Sequence, residues 1–211
     1  MAATGLCGVC RRNLAWRAEP GCVRCGEPVL APGERCRSDH RELSHLAFLV
    51  APLRFRGTGG AMVRRFKLSA DPAAGRWLAA TMAAAFGQRV ASPWTRAVFV
   101  AVPLHPRRRR RRGFDQAAWL ARRVAARLGH GHEPAVLVRR RLTLPQGDPR
   151  VRSRSRNVAG AFAVVRSGAI RGRRVVLVDD VFTSGATARA CAEALRVAGA
   201  AEVAILTACR S

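Results

Sequence analysis

Apolar residues recur along the chain in two patterns, as short unbroken runs and as stripes with helical spacing. The runs at residues 97–104 and 175–178 consist of Ala, Val, Leu and Phe with one proline, and they predict strands buried on both faces of a parallel sheet. Further strands are predicted at residues 46–56, 135–138, 158–165 and 203–206. Helices are predicted at residues 61–68, 73–87, 115–128 and 186–198, with a turn at residues 57–60. This order is typical of an α/β fold, a parallel sheet flanked by helices.

Two acids and a loop of small residues follow the strand at residues 175–178. Asp179 and Asp180 are expected to end the strand. The loop that then opens the next helix is Thr183-Ser184-Gly185-Ala186-Thr187. The first N–H groups of a helix lack internal partners and its dipole adds positive charge, so this loop predicts a phosphate site. The acid pair should face ribose hydroxyls or a cation instead. The alternative is an ordinary turn with solvated acids.

A strongly basic turn follows the strand at residues 97–104. Ligands of a parallel sheet bind beyond the carboxyl ends of its strands, so we expect this turn on the same rim as the acid pair. The turn contains His105, Pro106 and an unbroken run of arginines, namely Arg107, Arg108, Arg109, Arg110, Arg111 and Arg112. The run indicates either contact with nucleic acid or pyrophosphate, or a solvated loop.

Charge is unevenly distributed along the 211 residues, whose formal net charge is +25. Residues 96–156 hold 17 arginines against 3 acidic residues, whereas Lys67 is the single lysine of the chain. This excess favours a polyanionic ligand or nucleic acid as a partner. Residues 140–157 are basic and lack periodicity. They are interpreted as a lid over the anion site, with a solvated loop as the alternative.

The chain contains no run of 18 apolar residues, and its start does not resemble a signal peptide. Neither a membrane span nor a secretory leader is therefore predicted, and the expected location is cytoplasmic. In that compartment cysteine clusters bind metal more often than they form disulfides.

Two Cys-x-x-Cys knuckles, separated by 11 residues, lie near the N-terminus. This spacing predicts a structural Zn²⁺ site, because each knuckle can direct two thiolates at one metal. Disulfides or inert thiols are the alternative. We expect a zinc module at residues 1–45 and a larger domain at residues 46–211. The candidate ligands are Cys7, Cys10, Cys22 and Cys25, with Cys36 and His40 as substitutes.

Taken together, the chain resembles the ComF (ComFC) family, type I phosphoribosyltransferase-like proteins linked to natural competence. The stretches that carry the resemblance are the two cysteine knuckles, Val-Pro-Leu-His-Pro-Arg, Arg-Arg-Gly-Phe-Asp-Gln-Ala, Thr-Leu-x-Gln…Arg-x-x-Asn-Val-x-Gly-Ala-Phe, and the acid-pair loop. The last of these resembles the motif that binds 5-phosphoribosyl-1-pyrophosphate (PRPP). The resemblance implies a phosphoribosyltransferase-like parallel sheet preceded by a small four-cysteine zinc module.

The resemblance also implies a role for each site residue. The catalytic acids Asp179 and Asp180 would hold the ribose hydroxyls, and Mg²⁺ would bind pyrophosphate and ribose oxygens. Nearby arginines would assist the pyrophosphate loop. The phosphate would be held by Thr183, Ser184, Gly185, Ala186 and Thr187, and the pyrophosphate by Pro103, Leu104 and His105.

Two classes of function follow from these features. The first is an enzyme that transfers the phosphoribosyl group of PRPP to an acceptor that the sequence does not identify. The second is a non-catalytic accessory protein that binds single-stranded DNA during DNA uptake, with the PRPP pocket used as a sensor or retained without turnover. A regulatory PRPP sensor that does not bind DNA is a further alternative. The competence helicase and membrane-channel components are candidate partners in either case.

Overall fold

A twisted sheet of mainly parallel strands forms the centre of the computed structural model, which describes residues 5–17, 19–90, 94–141, 143 and 153–211. The first half of the chain forms α1 (Gly8–Arg12), β1 (Leu14–Trp16), β2 (Leu49–Val50), β3 (Leu53–Arg56), α2 (Gly57–Ser69), α3 (Pro72–Arg89) and β4 (Val98–Ala101). The second half forms α4 (Pro106–Arg112), α5 (Gln116–Leu128), β5 (Gly131–His132), β6 (Leu137–Arg139), α6 (Arg154–Val158), β7 (Phe162–Val164), β8 (Arg174–Phe182), α7 (Ala186–Val197) and β9 (Glu202–Arg210).

The main sheet has the strand order β1-β3-β9-β8-β4-β5, and β2 also pairs with β9. Its strand pairs are parallel except for the antiparallel pair of β1 with β3. The two predicted central strands are neighbours, with Val98 opposite Val175 and Ala101 opposite Val178. The predicted α/β fold is confirmed.

Alternate residues of β8 face two separate cores, as expected for a strand covered on both faces. Val175 and Leu177 pack with Leu195 of α7 on one face. Val176 and Val178 pack on the other face with α3 and α5. The molecule therefore has helices on both sides of its sheet, and the carboxyl ends of the central strands remain open between them.

Strand β8 is four residues longer at its carboxyl end than the sequence predicts. Asp179 pairs with Thr207, and Phe182 pairs with Arg210. The prediction that the acid pair ends the strand is therefore wrong, because β9 continues beside β8 to its last residue. Asp179 is paired with β9, and Asp180 lies between two residues that are paired with β9, so the strand positions the backbone of both acids.

Two further local predictions are wrong. Residues 57–60 form the first turn of α2, not a separate turn. Their small size suits this place, because a Cβ at Gly59 would lie 3.2 Å from Leu53 Cδ1, and the helix can therefore lie close to β3. The arginine run forms α4, not a loop. His105 caps this helix by accepting from the Arg107 N–H at 3.2 Å, and Pro106 occupies its first turn.

Strands β6 and β7 form a second, antiparallel sheet with Val138 opposite Ala163. Most of the predicted lid joins these strands and lies outside the described residues, namely residues 142 and 144–152. In the described ranges, no helix has the length and apolar character needed to cross a membrane. The division at residue 45 stays a prediction. Before that boundary, β1 joins the main sheet, and Cys22 and Cys25 belong to one of its cores.

Candidate functional site

A cavity of about 330 Å³ opens at the carboxyl ends of β4 and β8 and is called the rim cavity here. Pro103 and Leu104 line it after β4, and residues 179–183 line it at the end of β8. Its remaining charged or loop residues are Lys67, Arg108, Arg112, Asp115, Arg139, Gly185 and Thr187. The structure thus brings the acid pair, the predicted phosphate loop and the basic turn together on one rim.

The phosphate loop, residues 183–187, leads directly into α7. Gly185 precedes the first helical residue with φ of 72°, a conformation that favours glycine. A Cβ there would overlap the carbonyl oxygen of Glu42 and lie 2.8 Å from Phe182 Cζ. Thr183, Gly185 and Thr187 line the rim cavity, whereas Ser184 and Ala186 belong to the loop without lining it. The N-terminus of a twelve-residue helix therefore lies at the cavity, where an anion is favoured.

The side chain of Lys67 forms an ion pair with one member of the acid pair. Lys67 Nζ of α2 lies 2.8 Å from Asp180 Oδ2 and 3.1 Å from Oδ1. The Asp180 N–H donates to Asp179 Oδ1 at 2.8 Å. Burial, together with the charge of Asp180, raises the pKa of Asp179 to about 7. The pair is therefore asymmetric, because Asp180 contacts the ammonium group of Lys67 and Asp179 can bind a proton near neutral pH.

The six arginines of α4 divide between two faces of the helix. Arg108 and Arg112, one turn apart, line the rim cavity. Arg112 Nη1 donates to Gln116 Oε1 at 2.6 Å, and Arg108 Nη2 donates to the carbonyl of Thr143 at 2.7 Å. The other four are exposed to solvent, namely Arg107, Arg109, Arg110 and Arg111.

Asp115 connects the basic turn to the helix behind it. Its Oδ1 accepts from the Ala118 N–H at 3.0 Å and so caps α5. Its Oδ2 accepts from the Leu104 N–H at 3.4 Å. His105, part of the predicted pyrophosphate loop, does not line the rim cavity. Burial, and then the charges of Arg139 and Arg107, lower its pKa, which favours neutral imidazole as a helix cap.

Among the basic residues of the rim cavity, sequence reasoning missed Lys67 and Arg139. Arg139, on β6, is 9% exposed and lies 5.2 Å from the centroid of the Phe162 ring. It donates to the Thr143 hydroxyl, and its buried Nε has no hydrogen-bond partner among the described residues. A possible signal for Lys67 was its being the single lysine among 38 basic residues. Arg139 gave no such signal, since it begins a run of three arginines.

A second group of chemically active side chains lies in the N-terminal segment and is called the metal cluster here. The ligand atoms of Cys22, Cys25, Cys36 and His40 all lie within 4.8 Å of one another. His40 Nε2 is 3.4 Å from Cys22 Sγ and 3.3 Å from Cys36 Sγ, and the sulfurs of Cys25 and Cys36 are 3.5 Å apart. Three thiols and one imidazole form a donor set that suits tetrahedral Zn²⁺.

The thiols of the metal cluster titrate unequally. Burial opposes ionisation of Cys22, but N–H donors of Cys25, Cys36 and Arg24 outweigh it and lower its pKa to about 6. Burial, and the neighbouring thiols, raise the pKa of Cys25 to about 11. A bound divalent cation would stabilise both thiolates against burial and mutual repulsion, so the residues present fit a metal.

The first knuckle lies apart from the metal cluster. Cys7 is exposed at the start of α1, and Cys10 is partly buried. The carbonyl of Cys10 accepts from the Thr58 hydroxyl at 2.8 Å, which ties this knuckle to α2. Of the four ligands that the knuckle spacing favours, the structure brings Cys22 and Cys25 together with the substitutes Cys36 and His40.

Comparison with known proteins identifies proteins that are similar to this chain. The family model of the phosphoribosyl transferase domain matches residues 115–211. DNA utilization protein YhgH of Salmonella typhi is 30% identical over 214 residues, covering 98% of this chain and 91% of that protein. Competence protein F of Haemophilus influenzae is 26% identical over 206 residues, covering 96% and 89%. A solved structure of the allosteric regulatory enzyme of purine biosynthesis is 24% identical, with a TM-score of 0.39 over 72% of this chain and 26% of that one.

Proposed function

This chain belongs to the ComF family of phosphoribosyltransferase-like proteins, and on that premise we propose that it binds PRPP in the rim cavity. The supporting observation is the convergence of three kinds of group in one cavity. A helix N-terminus suits the 5-phosphate, two carboxylates suit the ribose hydroxyls, and three arginines suit the pyrophosphate. An ordinary turn with solvated acids does not require these groups to meet.

Each part of PRPP has a proposed place. The loop of residues 183–187 holds the 5-phosphate, and Asp179 and Asp180 accept from the ribose hydroxyls. Pro103 and Leu104 present the turn that Asp115 holds, and the pyrophosphate lies between this turn and the guanidinium groups of Arg108, Arg112 and Arg139. Lys67 Nζ lies 2.8 Å from Asp180 Oδ2, beside the proposed ribose site.

The carboxylates of the rim cavity also fit Mg²⁺, which prefers oxygen ligands and keeps few protein ligands. Asp179 and Asp180 would hold the ion together with PRPP oxygens, and the bound ion would supply positive charge against the pyrophosphate. The cavity arginines act on the same charge from the protein side.

We further propose that bound PRPP can donate its phosphoribosyl group. The acceptor forms a bond to C1 of the ribose, the bond from C1 to the pyrophosphate oxygen breaks, and the electron pair leaves with pyrophosphate. The acceptor loses a proton. Arg108, Arg112 and Arg139 stabilise the charge that grows on the departing group. The proposed setting is the cytoplasm, beside helicase and channel components of DNA uptake.

Calorimetric titration with PRPP and Mg²⁺ tests the binding proposal. Wild-type protein should bind PRPP more tightly than ribose 5-phosphate or pyrophosphate alone, since each fragment fills only part of the cavity. Asp179→Asn with Asp180→Asn should remove binding while leaving the bound zinc in place. Equal affinity for PRPP and pyrophosphate would contradict the assigned loop. Release of pyrophosphate across a panel of bases then tests transfer.

The exposed face of α4 favours a second function, binding of single-stranded DNA. The exposed arginines that do not line the rim cavity are Arg107, Arg109, Arg110 and Arg111. Contacts between arginines and DNA phosphates are salt-dependent and independent of base sequence. Relatives named DNA utilization protein and Competence protein F support the same proposal.

The division of α4 supplies a matched test of DNA binding. Replacing the four exposed arginines by Ala should weaken binding of single-stranded DNA and flatten its salt dependence, with PRPP affinity unchanged. Replacing Arg108 and Arg112 should do the reverse. DNA affinity that survives the fourfold change would exclude this face as the nucleic-acid interface.

A further inference from the structure

The turn that follows His40 packs directly on the phosphate loop. Residues Arg41–Leu43 form one turn of 3-10 helix. The Glu42 carbonyl oxygen is the atom that a Cβ at Gly185 would overlap. Arg189 Nη1, in the first turn of α7, donates to the Arg41 carbonyl at 3.3 Å. The residues immediately after His40, a candidate metal ligand, therefore pack against the phosphate loop.

A second connection runs through Arg210. Its Nη1 donates to the carbonyl of Cys25 at 3.3 Å, and its Nη2 donates to Glu42 Oε1 at 3.1 Å. Arg210 also pairs with Phe182 across the sheet, one residue before the phosphate loop. Its side chain is 17% exposed and that of Glu42 is 23% exposed, so the ion pair is shielded more than a surface pair. One guanidinium thus joins the metal cluster, the turn and the end of β8.

The same parts share one apolar core. Cys22, Cys25, Leu43, Phe182 and Ala186 belong to a single cluster of buried residues. Close-packed interiors transmit displacement instead of absorbing it. At Gly185 no space is left for even a methyl group, so a shift of the turn must reach the loop.

We propose that Glu42 and Arg210 are positioning residues that couple metal occupancy of the cluster to anion affinity of the phosphate loop. Bound metal fixes His40, and His40 fixes the turn that supports Gly185. Without metal, three thiols and an imidazole adopt another arrangement, and the turn moves with them. This inference rests on the proposed binding of PRPP and adds a control over it.

Thermodynamic reciprocity supplies the test. We expect zinc-loaded protein to bind PRPP about 10-fold more tightly than zinc-free protein, a typical size for such coupling. Saturating PRPP should raise zinc affinity by the same factor, measured by competition with a chromogenic chelator. Reciprocity holds for any equilibrium coupling, including coupling through folding, so both factors are compared under conditions in which circular dichroism shows the zinc-free protein to be folded.

A variant that keeps its metal isolates the connection. Glu42→Gln should retain one zinc but reduce the coupling factor toward one, and restoring charge with Glu42→Asp should recover part of it. Asp39→Asn is the control, because Asp39 lies beside His40 and forms an exposed ion pair with Arg41, while the asparagine oxygen can still accept from the Arg41 N–H as Asp39 Oδ1 does at 3.1 Å. It should leave both PRPP affinity and coupling unchanged.

Several outcomes would overturn the inference. Zinc-free protein that stays folded and binds PRPP as tightly as loaded protein would do so, and so would a Glu42→Gln variant with full coupling. If zinc-free protein unfolds, PRPP affinity of the zinc-loaded proteins decides: Glu42→Gln should bind PRPP more weakly than wild type, and equal affinity would overturn the inference. Loaded wild-type protein that binds inorganic phosphate but not PRPP would contradict the proposed function, and coupling would then be measured with phosphate. Binding of neither anion would overturn both.

Discussion

Lys67 Nζ contacts both carboxylate oxygens of Asp180, at 2.8 and 3.1 Å, although the two residues are 113 positions apart in sequence. The contact joins α2 to the end of β8, and both residues line the rim cavity. Asp180 is buried and Lys67 is about one-third exposed. A carboxylate in such a place needs a compensating charge, and the compact ammonium of lysine provides it in a chain whose other cations are arginines.

Removing that ammonium should destabilise the fold. We expect Lys67→Met to lower the free energy of unfolding by about 1–3 kcal/mol, because it leaves Asp180 buried and unpaired. Urea denaturation at pH 7 measures the loss. Adding Asp180→Asn to the variant should restore most of the stability. Losses that simply add in the double variant would show that the two residues act independently.

Asp179 should make the protein less stable as pH rises. Its pKa is raised to about 7 by burial and by Asp180, from a usual value of 3.8. Between those values the folded state binds more protons than the unfolded state, so the free energy of unfolding falls with increasing pH. Asp179→Asn should therefore stabilise the protein above pH 7, by about 1 kcal/mol or more, and have little effect near pH 4. Urea denaturation at several pH values in this range measures the effect. If the free energy of unfolding changed equally with pH in wild type and variant, the assignment would be wrong.

Gly185→Ala should damage the phosphate loop. The new Cβ would overlap the Glu42 carbonyl and lie in a positive-φ conformation, so we expect a loss of about 2–4 kcal/mol and loss of PRPP binding. Gly129→Ala is the matched control, since its φ is 69° and nothing lies within 4 Å of its Cβ position. It should cost about 1 kcal/mol and leave PRPP affinity intact. Similar effects of both changes on thermal unfolding would show that only the backbone angle matters.

Zinc content should depend on the residues of the metal cluster and not on Cys7 and Cys10. Cys36→Ser and His40→Ala should each lower the bound zinc well below one equivalent per chain. Cys7→Ser with Cys10→Ser should leave one equivalent, because those thiols lie apart from the cluster. Metal analysis of purified protein after dialysis decides between the two ligand sets. Loss of zinc in the Cys7 and Cys10 variant would restore the set favoured by spacing.

Replacing Arg139 should lower PRPP affinity more than it lowers the free energy of unfolding. We expect Arg139→Met, which keeps apolar contact with Phe162, to weaken PRPP binding about 10–100-fold, the loss of one charge-assisted contact to a phosphate. Affinity for ribose 5-phosphate should change little, since that fragment lacks the pyrophosphate. An equal loss for both ligands would place Arg139 at the other end of the cavity.

The sequence predicted the centre of the fold well because local pattern and tertiary environment agree there. Residues 97–104 and 175–178 are apolar without interruption, and residues 97–100 and 175–178 are buried between the helical layers. The arginine run was different. Six like charges suggest a solvated loop, but the His105 cap, Pro106 and Gly113 at the end provide helix signals that outweigh their repulsion.

The site residues that lie at or just after the carboxyl end of a central strand were predictable from the sequence. Those that belong to other helices and strands were not. Asp179 lies near the carboxyl end of β8 and the phosphate loop follows that strand directly, so strand polarity alone places them on the rim. Lys67 and Arg139 reach the cavity from α2 and β6, and only the packing of those elements on the sheet reveals it. For the metal cluster, spacing left six candidate donors, and the folding of residues 36–40 back onto Cys22 selects among them.

The single lysine of the chain makes the rim cavity chemically addressable. Its ε-amine is the one side-chain primary amine in 211 residues, and it lies against Asp180 inside the cavity wall. An amine-specific reagent will therefore modify one side chain whose accessibility changes when a ligand fills the cavity. Mass spectrometry of the modified protein can then rank unlabelled ligands and acceptors by protection, without any assay of turnover.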